Sequence, residues 1–156
     1  MTTAESILGA VVSLALTFGA AWLGARFPPG EWYRGLAKPA WNPPNSVFAP
    51  VWTVLYTLMA AAAWLVWLRH GLVATLIPLV LFVIQLLLNS AWSWLFFGLH
   101  RPGTALVEIV VLWTVILATL ISFWRLAPLA GVLLVPYLAW VSFAAVLNWS
   151  IWRMNH

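Results

Sequence analysis

At 156 residues, with 65% hydrophobic and only 6% charged side chains and a mean hydropathy of +1.01, the chain is too apolar to fold as a water-soluble globule. Seven Lys/Arg against three Asp/Glu give a net charge of +4, but the basic residues stand singly between apolar runs, so no nucleic-acid patch forms. The lack of cysteine excludes disulfides, thiolate catalysis, iron–sulfur clusters and Cys-ligated zinc.

A membrane-crossing helix needs about 20 apolar residues, so five of them would consume about 110 positions and leave only short connections. The charges mark the divisions. Residues 6–25 are uncharged, bounded by Glu5 and Arg26, and predict helix 1; no basic region precedes it, so it reads as a retained span and not a signal peptide. Residues 26–46 hold Arg26, Glu31, Arg34, Lys38 and five prolines (Pro28, Pro29, Pro39, Pro43, Pro44), too many for a helix. Helix 2 is predicted over 47–68, with Pro50 near its start, and Arg69, His70 and Gly71 form a turn. Helix 3 is predicted over 72–99, with Pro78 kinking it or marking a late start, followed by a turn at His100, Arg101, Pro102 and Gly103. Helix 4 (104–124) carries Glu108, and helix 5 (128–152) contains Pro136. The expectation is an all-α integral membrane protein, one domain over 1–156: a five-helix transmembrane bundle with an ordered lid loop between helices 1 and 2.

Five spans put the lid, the His100 turn and the C-terminus on one side. That side holds Arg26, Arg34, Lys38, Arg101 and Arg153, against Arg69 and Arg125 opposite, so the positive-inside rule predicts a cytoplasmic C-terminus, in a bacterial cell membrane. A connection joining two helices needs only a few residues. This one has about twenty, with Trp32, Tyr33 and Trp41 among rigid prolines that lower the entropy cost of fixing it. It predicts an ordered lid whose aromatics fold back over the bundle.

Thirteen tryptophans exceed what interfacial belts require, and aromatic surface binds flat hydrophobic molecules. Four motifs carry a resemblance: W-Y-x-x-L-x-K-P-x-W-x-P-P from Trp32 to Pro44; Pro50-Val51-Trp52 with Leu55-Tyr56; Gln85-Leu86 with Asn89, Ala91, Trp92 and Phe96-Phe97-Gly98; and Pro136-Tyr137-Leu138-Ala139-Trp140 leading to Leu147-Asn148 and Trp152-Arg153. In these the chain resembles the TspO/MBR family, which includes the translocator protein, also called the peripheral benzodiazepine receptor, and the tryptophan-rich sensory protein. The resemblance implies a five-helix membrane bundle, usually a homodimer. It also implies a cavity under the first loop for porphyrins, isoquinoline or benzodiazepine drugs and, in some members, cholesterol.

Carried over position by position, the pocket wall comprises Tyr33 and Trp41 from the lid, Trp52 and Tyr56 from helix 2, Asn89 and Trp92 from helix 3, and Trp140, Ala144 and Leu147 from helix 5. Spacings of four, three, and four then three let each helical group share one face. Spacing alone does not separate pocket from core. Asn89, a polar amide in an apolar run, needs a partner, either on another helix or on a ligand, and Gln85 one turn earlier can join the same network. Glu108 is the only acidic residue within a span, and its height predicts pairing with Arg101 or Arg153. Small residues at Ala20 and Gly24 and from Ala60 to Ala63 permit close helix approach, inside the bundle or between subunits.

No nucleophile–base pair, metal cluster or phosphate loop is visible, so no metal or cofactor is expected. The three histidines (His70, His100, His156) lie at turns or the terminus, away from any haem iron in the bundle interior. A bound protoporphyrin IX would be held by stacking. Some bacterial relatives are reported to degrade porphyrin in light, which makes Trp52 and Trp140 the candidate reactive positions. The sterol motif of animal members is not met, since Trp149 stands where its tyrosine would be. The reading is a membrane receptor or sensor that binds, carries or scavenges tetrapyrroles. The alternatives are a light-dependent porphyrin-degrading enzyme and a transporter of tetrapyrroles or sterols.

Overall fold

The computed structural model spans Met1–His156 and contains helices and no strands. Helix α1 (Thr3–Ala25) begins before the uncharged run does. The Thr2 hydroxyl accepts from the Glu5 N–H at 3.1 Å and the Glu5 carboxylate accepts from the Thr2 N–H at 3.0 Å. This reciprocal capping satisfies two otherwise orphaned donors and fixes the start. The lid follows and includes one short helix, α2 (Glu31–Arg34).

Helix α3 (Asn45–Ser93) continues into a π-helical turn, Trp94–Gly98, and is broken at Gly71 (φ 71°, ψ −176°). Uninterrupted, this 54-residue run would extend about 81 Å, against a bilayer core of about 30 Å. Instead it folds back: Tyr56 bonds Asn89 and Gln85 contacts Met59, so numbers rise on one limb as they fall on the other. Four long apolar helices thereby supply five spans. Only glycine adopts the Gly71 conformation without strain. No heavy atom lies within 4 Å of a Cβ built there, so Gly71→Ala costs backbone strain alone, about 1–3 kcal/mol. Thermal unfolding in detergent should show that loss, whereas Gly19→Ala, on an open helical face of α1, should show none.

Helix α4 (Pro102–Leu126) and helix α5 (Pro128–Met154) each start on a proline, whose missing N–H costs nothing at a helix start. Both run about two residues beyond the sequence-predicted ends, because charged Arg125 and Arg153 continue the final turns. Pro78 lies inside the second limb of α3 and so does not delay its start, and Pro136 lies inside α5.

The core joins the facing stripes of α3, α4 and α5, including Met59, Val66, Phe82, Ile109, Ile116, Phe123 and Leu134. Helix α1 lies across both limbs of α3. Its buried face is small (Gly9, Ser13, Thr17, Ala20), which lets the helices approach closely. The indoles of Trp64 and Trp67 donate to the Ser6 and Glu5 carbonyls at 2.9 and 3.2 Å, and Ser90 donates to the Ala20 carbonyl at 2.8 Å. The Ala20/Gly24 pair and most of the 60–63 alanine run therefore serve packing within one chain. Outward, the surface remains apolar: Val73, Ile77 and Val107 are 93%, 74% and 67% exposed. Such a surface suits lipid and not water.

The two ends of the bundle are tied differently. At one, Trp32 stacks on His100 (centroids 4.4 Å apart, planes 8° apart), and the Asn155 amide accepts from the Ala37 N–H at 2.9 Å and donates to the Ala37 carbonyl at 2.8 Å. At the other, a His70 ring nitrogen lies 2.6 Å from the Leu126 carbonyl, joining the two remaining turns.

Candidate functional site

Under the lid is a cavity of about 400 Å³ lined by α1, the lid, both limbs of α3, α4 and α5. On the first limb of α3, Phe48, Trp52 and Tyr56 follow one another at four-residue steps and so share a face. Trp52 stacks on Tyr56 at 5.4 Å, and Phe48 meets Trp140 edge-on at 6.1 Å. On the second limb Trp92 stacks on Phe96 at 5.1 Å, with its N–H donating to Asn148 Oδ1 at 3.0 Å. Asn148 in turn donates to the Pro102 carbonyl at 2.9 Å, which locks this wall to α4 and α5.

The π turn shapes the roof. In a regular helix consecutive residues diverge by about 100°. Here the Leu99 N–H reaches back five residues to the Trp94 carbonyl at 2.8 Å, which widens the turn that carries Phe96 and Phe97, and both rings line the cavity. Tyr33 descends from α2 onto them, with edge contacts at 6.2 and 5.3 Å. Its hydroxyl donates to Asn42 Oδ1 at 3.3 Å, and the Lys38 ammonium lies 4.7 Å over its ring. Burial pushes the Tyr33 phenol above its ordinary range, the Asn42 bond opposing this only in part, so it stays a protonated donor at neutral pH.

The polar floor is a directed chain. Tyr56 O–H donates to Asn89 Oδ1 at 2.7 Å, Asn89 Nδ2–H to Tyr137 at 2.8 Å, and Tyr137 O–H to Gln85 Oε1 at 2.6 Å. All four residues are buried. Asn89 thus has its interhelical partners, with one N–H remaining for a guest.

The structure brings Tyr33, Trp52, Tyr56, Asn89, Trp92, Trp140, Ala144 and Leu147 around this one cavity. Trp41 is the exception. It occupies a turn closed by the Asn42 N–H and the Pro39 carbonyl (3.0 Å), does not line the cavity, is 48% exposed, and lies edge-on to the wall residue Phe143 at 5.7 Å. Sequence reasoning missed Phe48, Phe143 and the Phe27-Pro28-Pro29 rim. The first two were readable as helical neighbours of Trp52 and Trp140; the rim carries no periodic signal. The proposed partners of Glu108 are also corrected: both carboxyl oxygens are buried without any hydrogen-bond partner. Height along α4 put it level with Arg101 and Arg153, but neither guanidinium bonds to its carboxylate. No cluster of three or more His, Cys, Asp or Glu residues is present.

Helices, lid and cavity together define a polytopic membrane protein with five spans and a lidded, aromatic-walled chamber. Comparison with known proteins sharpens that class. Residues 11–153 match the TspO/MBR family model. The human translocator protein is 43% identical over 140 residues, covering 86% of this chain and 83% of that protein. The tryptophan-rich protein TspO of Chlorobaculum tepidum is 41% identical over 158 aligned positions (97% and 98%), and the tryptophan-rich sensory protein of Cereibacter sphaeroides is 43% identical over 148 (92% and 92%). The chain belongs to the TspO/MBR family.

Proposed function

We propose that the cavity binds porphyrin-type tetrapyrroles, protoporphyrin IX among them, and flat drugs of the isoquinoline and benzodiazepine type, and that the protein senses, carries or scavenges such molecules in the membrane. The observation that supports this is the convergence of Trp52, Trp92, Trp140 and Tyr33 on one mainly apolar cavity, with a hydrogen-bonded polar pair at Tyr56 and Asn89. Stacking surface with few fixed polar groups suits a flat, mainly apolar guest. Titration of the purified protein with protoporphyrin IX should quench tryptophan fluorescence saturably; linear, unsaturable quenching would sink the proposal.

A second reading, light-dependent oxidative breakdown of the bound porphyrin by dioxygen, draws on one observation. Trp52 and Trp140 both line the cavity, and Trp52 stacks on Tyr56, so oxidisable rings sit together at the guest. Under illumination the porphyrin spectrum should fade faster with the parent protein than with a Trp52→Phe/Trp140→Phe variant. Equal rates exclude enzymatic breakdown through these indoles.

The lid and C-terminus face the cytoplasm of a bacterial cell, by the bias of five Lys/Arg over two, and the chain pairs with a second copy. The chain has no native cysteine, so single cysteines at positions 34 and 69 report the side by labelling, and light scattering in detergent reports the dimer.

A further inference from the structure

Beside the aromatic cavity lies a second, shallow pocket of about 370 Å³ in the lid, and its chemistry is of the opposite kind. Its lining includes the polar residues Tyr33, Arg34, Lys38, Asn42 and Asn45, and no acidic residue lines it. Tyr33 and Asn45 line both spaces, so the two adjoin across the buried Tyr33 ring. Lys38 is already positioned there. Its ammonium donates to the Arg34 and Leu36 carbonyls at 3.3 and 3.1 Å and rests over Tyr33, leaving one of its three N–H groups unused. Arg34 is exposed and its guanidinium makes no hydrogen bond within the protein. Two cations with spare donors thus flank the mouth of an apolar chamber that has no cation of its own.

We infer that this lid pocket is an anion subsite, and that the cavity's ligand is an amphiphile: a flat apolar body among the tryptophans, with one or two carboxylates on short arms reaching past Tyr33 to Arg34 and Lys38. For a tetrapyrrole these arms are its propionates. The inference rests on the cavity's holding a tetrapyrrole, as proposed above, and adds which end of it points toward the lid. The arrangement separates the two halves of recognition. Stacking holds any flat body, whereas the lid pocket selects those that carry an acid. Guanidinium and ammonium groups with free donors form charge-assisted hydrogen bonds to carboxylate. Because the pocket is open to water, the gain from two such contacts is about tenfold in affinity.

The test compares protoporphyrin IX with its dimethyl ester, which keeps the macrocycle and removes both charges, on the parent protein and on Arg34→Glu. Arg34 is exposed and its guanidinium makes no hydrogen bond within the protein, so this variant should keep the fold; Lys38→Gln serves as a second variant. The parent should bind the diacid about tenfold more tightly than the diester. Arg34→Glu should weaken the diacid about tenfold and leave the diester within about twofold, and added salt should weaken the diacid alone. Comparing the two proteins for each ligand cancels differences in micelle partitioning. Equal affinity of the parent for diacid and diester would overturn the subsite and leave the cationic pocket to lipid phosphate, and so would an equal loss for both ligands in Arg34→Glu. If neither porphyrin binds saturably, the tetrapyrrole proposal itself fails and the subsite falls with it, a result distinct from equal binding of both.

Discussion

Replacing Ala144 with phenylalanine is expected to lower protoporphyrin IX affinity by well over tenfold while leaving the protein at least as stable as the parent. Ala144 lies between Trp140 and Leu147 on the cavity face of α5, and its methyl group is what leaves the space between them open. A phenyl ring projecting from that position occupies a large part of about 400 Å³ that a guest would otherwise fill. Losing one stacked face and its dispersion contacts costs a ligand more than the 1.4 kcal/mol that a tenfold change represents. For the empty protein the sign reverses, since filling a void adds contacts. The measurements are a fluorescence titration and a thermal melt on the same preparation. Val146→Phe, on the exposed face of the same helix turn, should leave binding unchanged. Unaltered affinity in Ala144→Phe would place the ligand elsewhere.

The second large effect concerns the polar floor. Asn89→Leu removes the acceptor of the Tyr56 hydroxyl and the donor to Tyr137. Tyr137 keeps its bond to Gln85, but Tyr56, buried between helices, loses its only one. An unmade buried hydrogen bond costs about 1–3 kcal/mol, with bilayer values toward the lower end. Adding Tyr56→Phe removes the orphan, so the double variant should be no less stable than Asn89→Leu alone. A double variant whose losses simply add would show that the two side chains are not coupled. The same pair resolves what the amide does for a guest. If the stable double variant still binds porphyrin weakly, the remaining Asn89 N–H contacts the ligand; if affinity returns with stability, Asn89 acts through the fold.

These expectations show which parts of the molecule were legible in the chain. The spans were, because charge inside a bilayer is costly and uncharged runs such as those between Glu5 and Arg26 or Gly71 and His100 leave no other use for about 20 residues. Their ends shifted by two or three residues where local chemistry decided: the Thr2–Glu5 capping pair at α1, the N-terminal proline of α4, and the last turns of α4 and α5. Eight of the nine positions taken from the family resemblance line the cavity, whereas Trp41 belongs to a turn whose direction no periodicity encodes. Glu108 shows the same limit. Its height could be read from the chain, but whether a cation meets its carboxylate is a tertiary fact, and both oxygens are buried without a partner. The π turn was hidden as well, since Trp94 to Gly98 is as good a helical sequence as its neighbours.

One consequence is practical. The side-chain amide of Asn155 grips the lid backbone at Ala37 from both sides, one residue before His156. A purification handle or fluorescent fusion placed at that terminus would pull on the roof of the chamber it was meant to report on. The start of α1, held under Trp64 and Trp67 at the far end of the bundle, is where such a handle belongs.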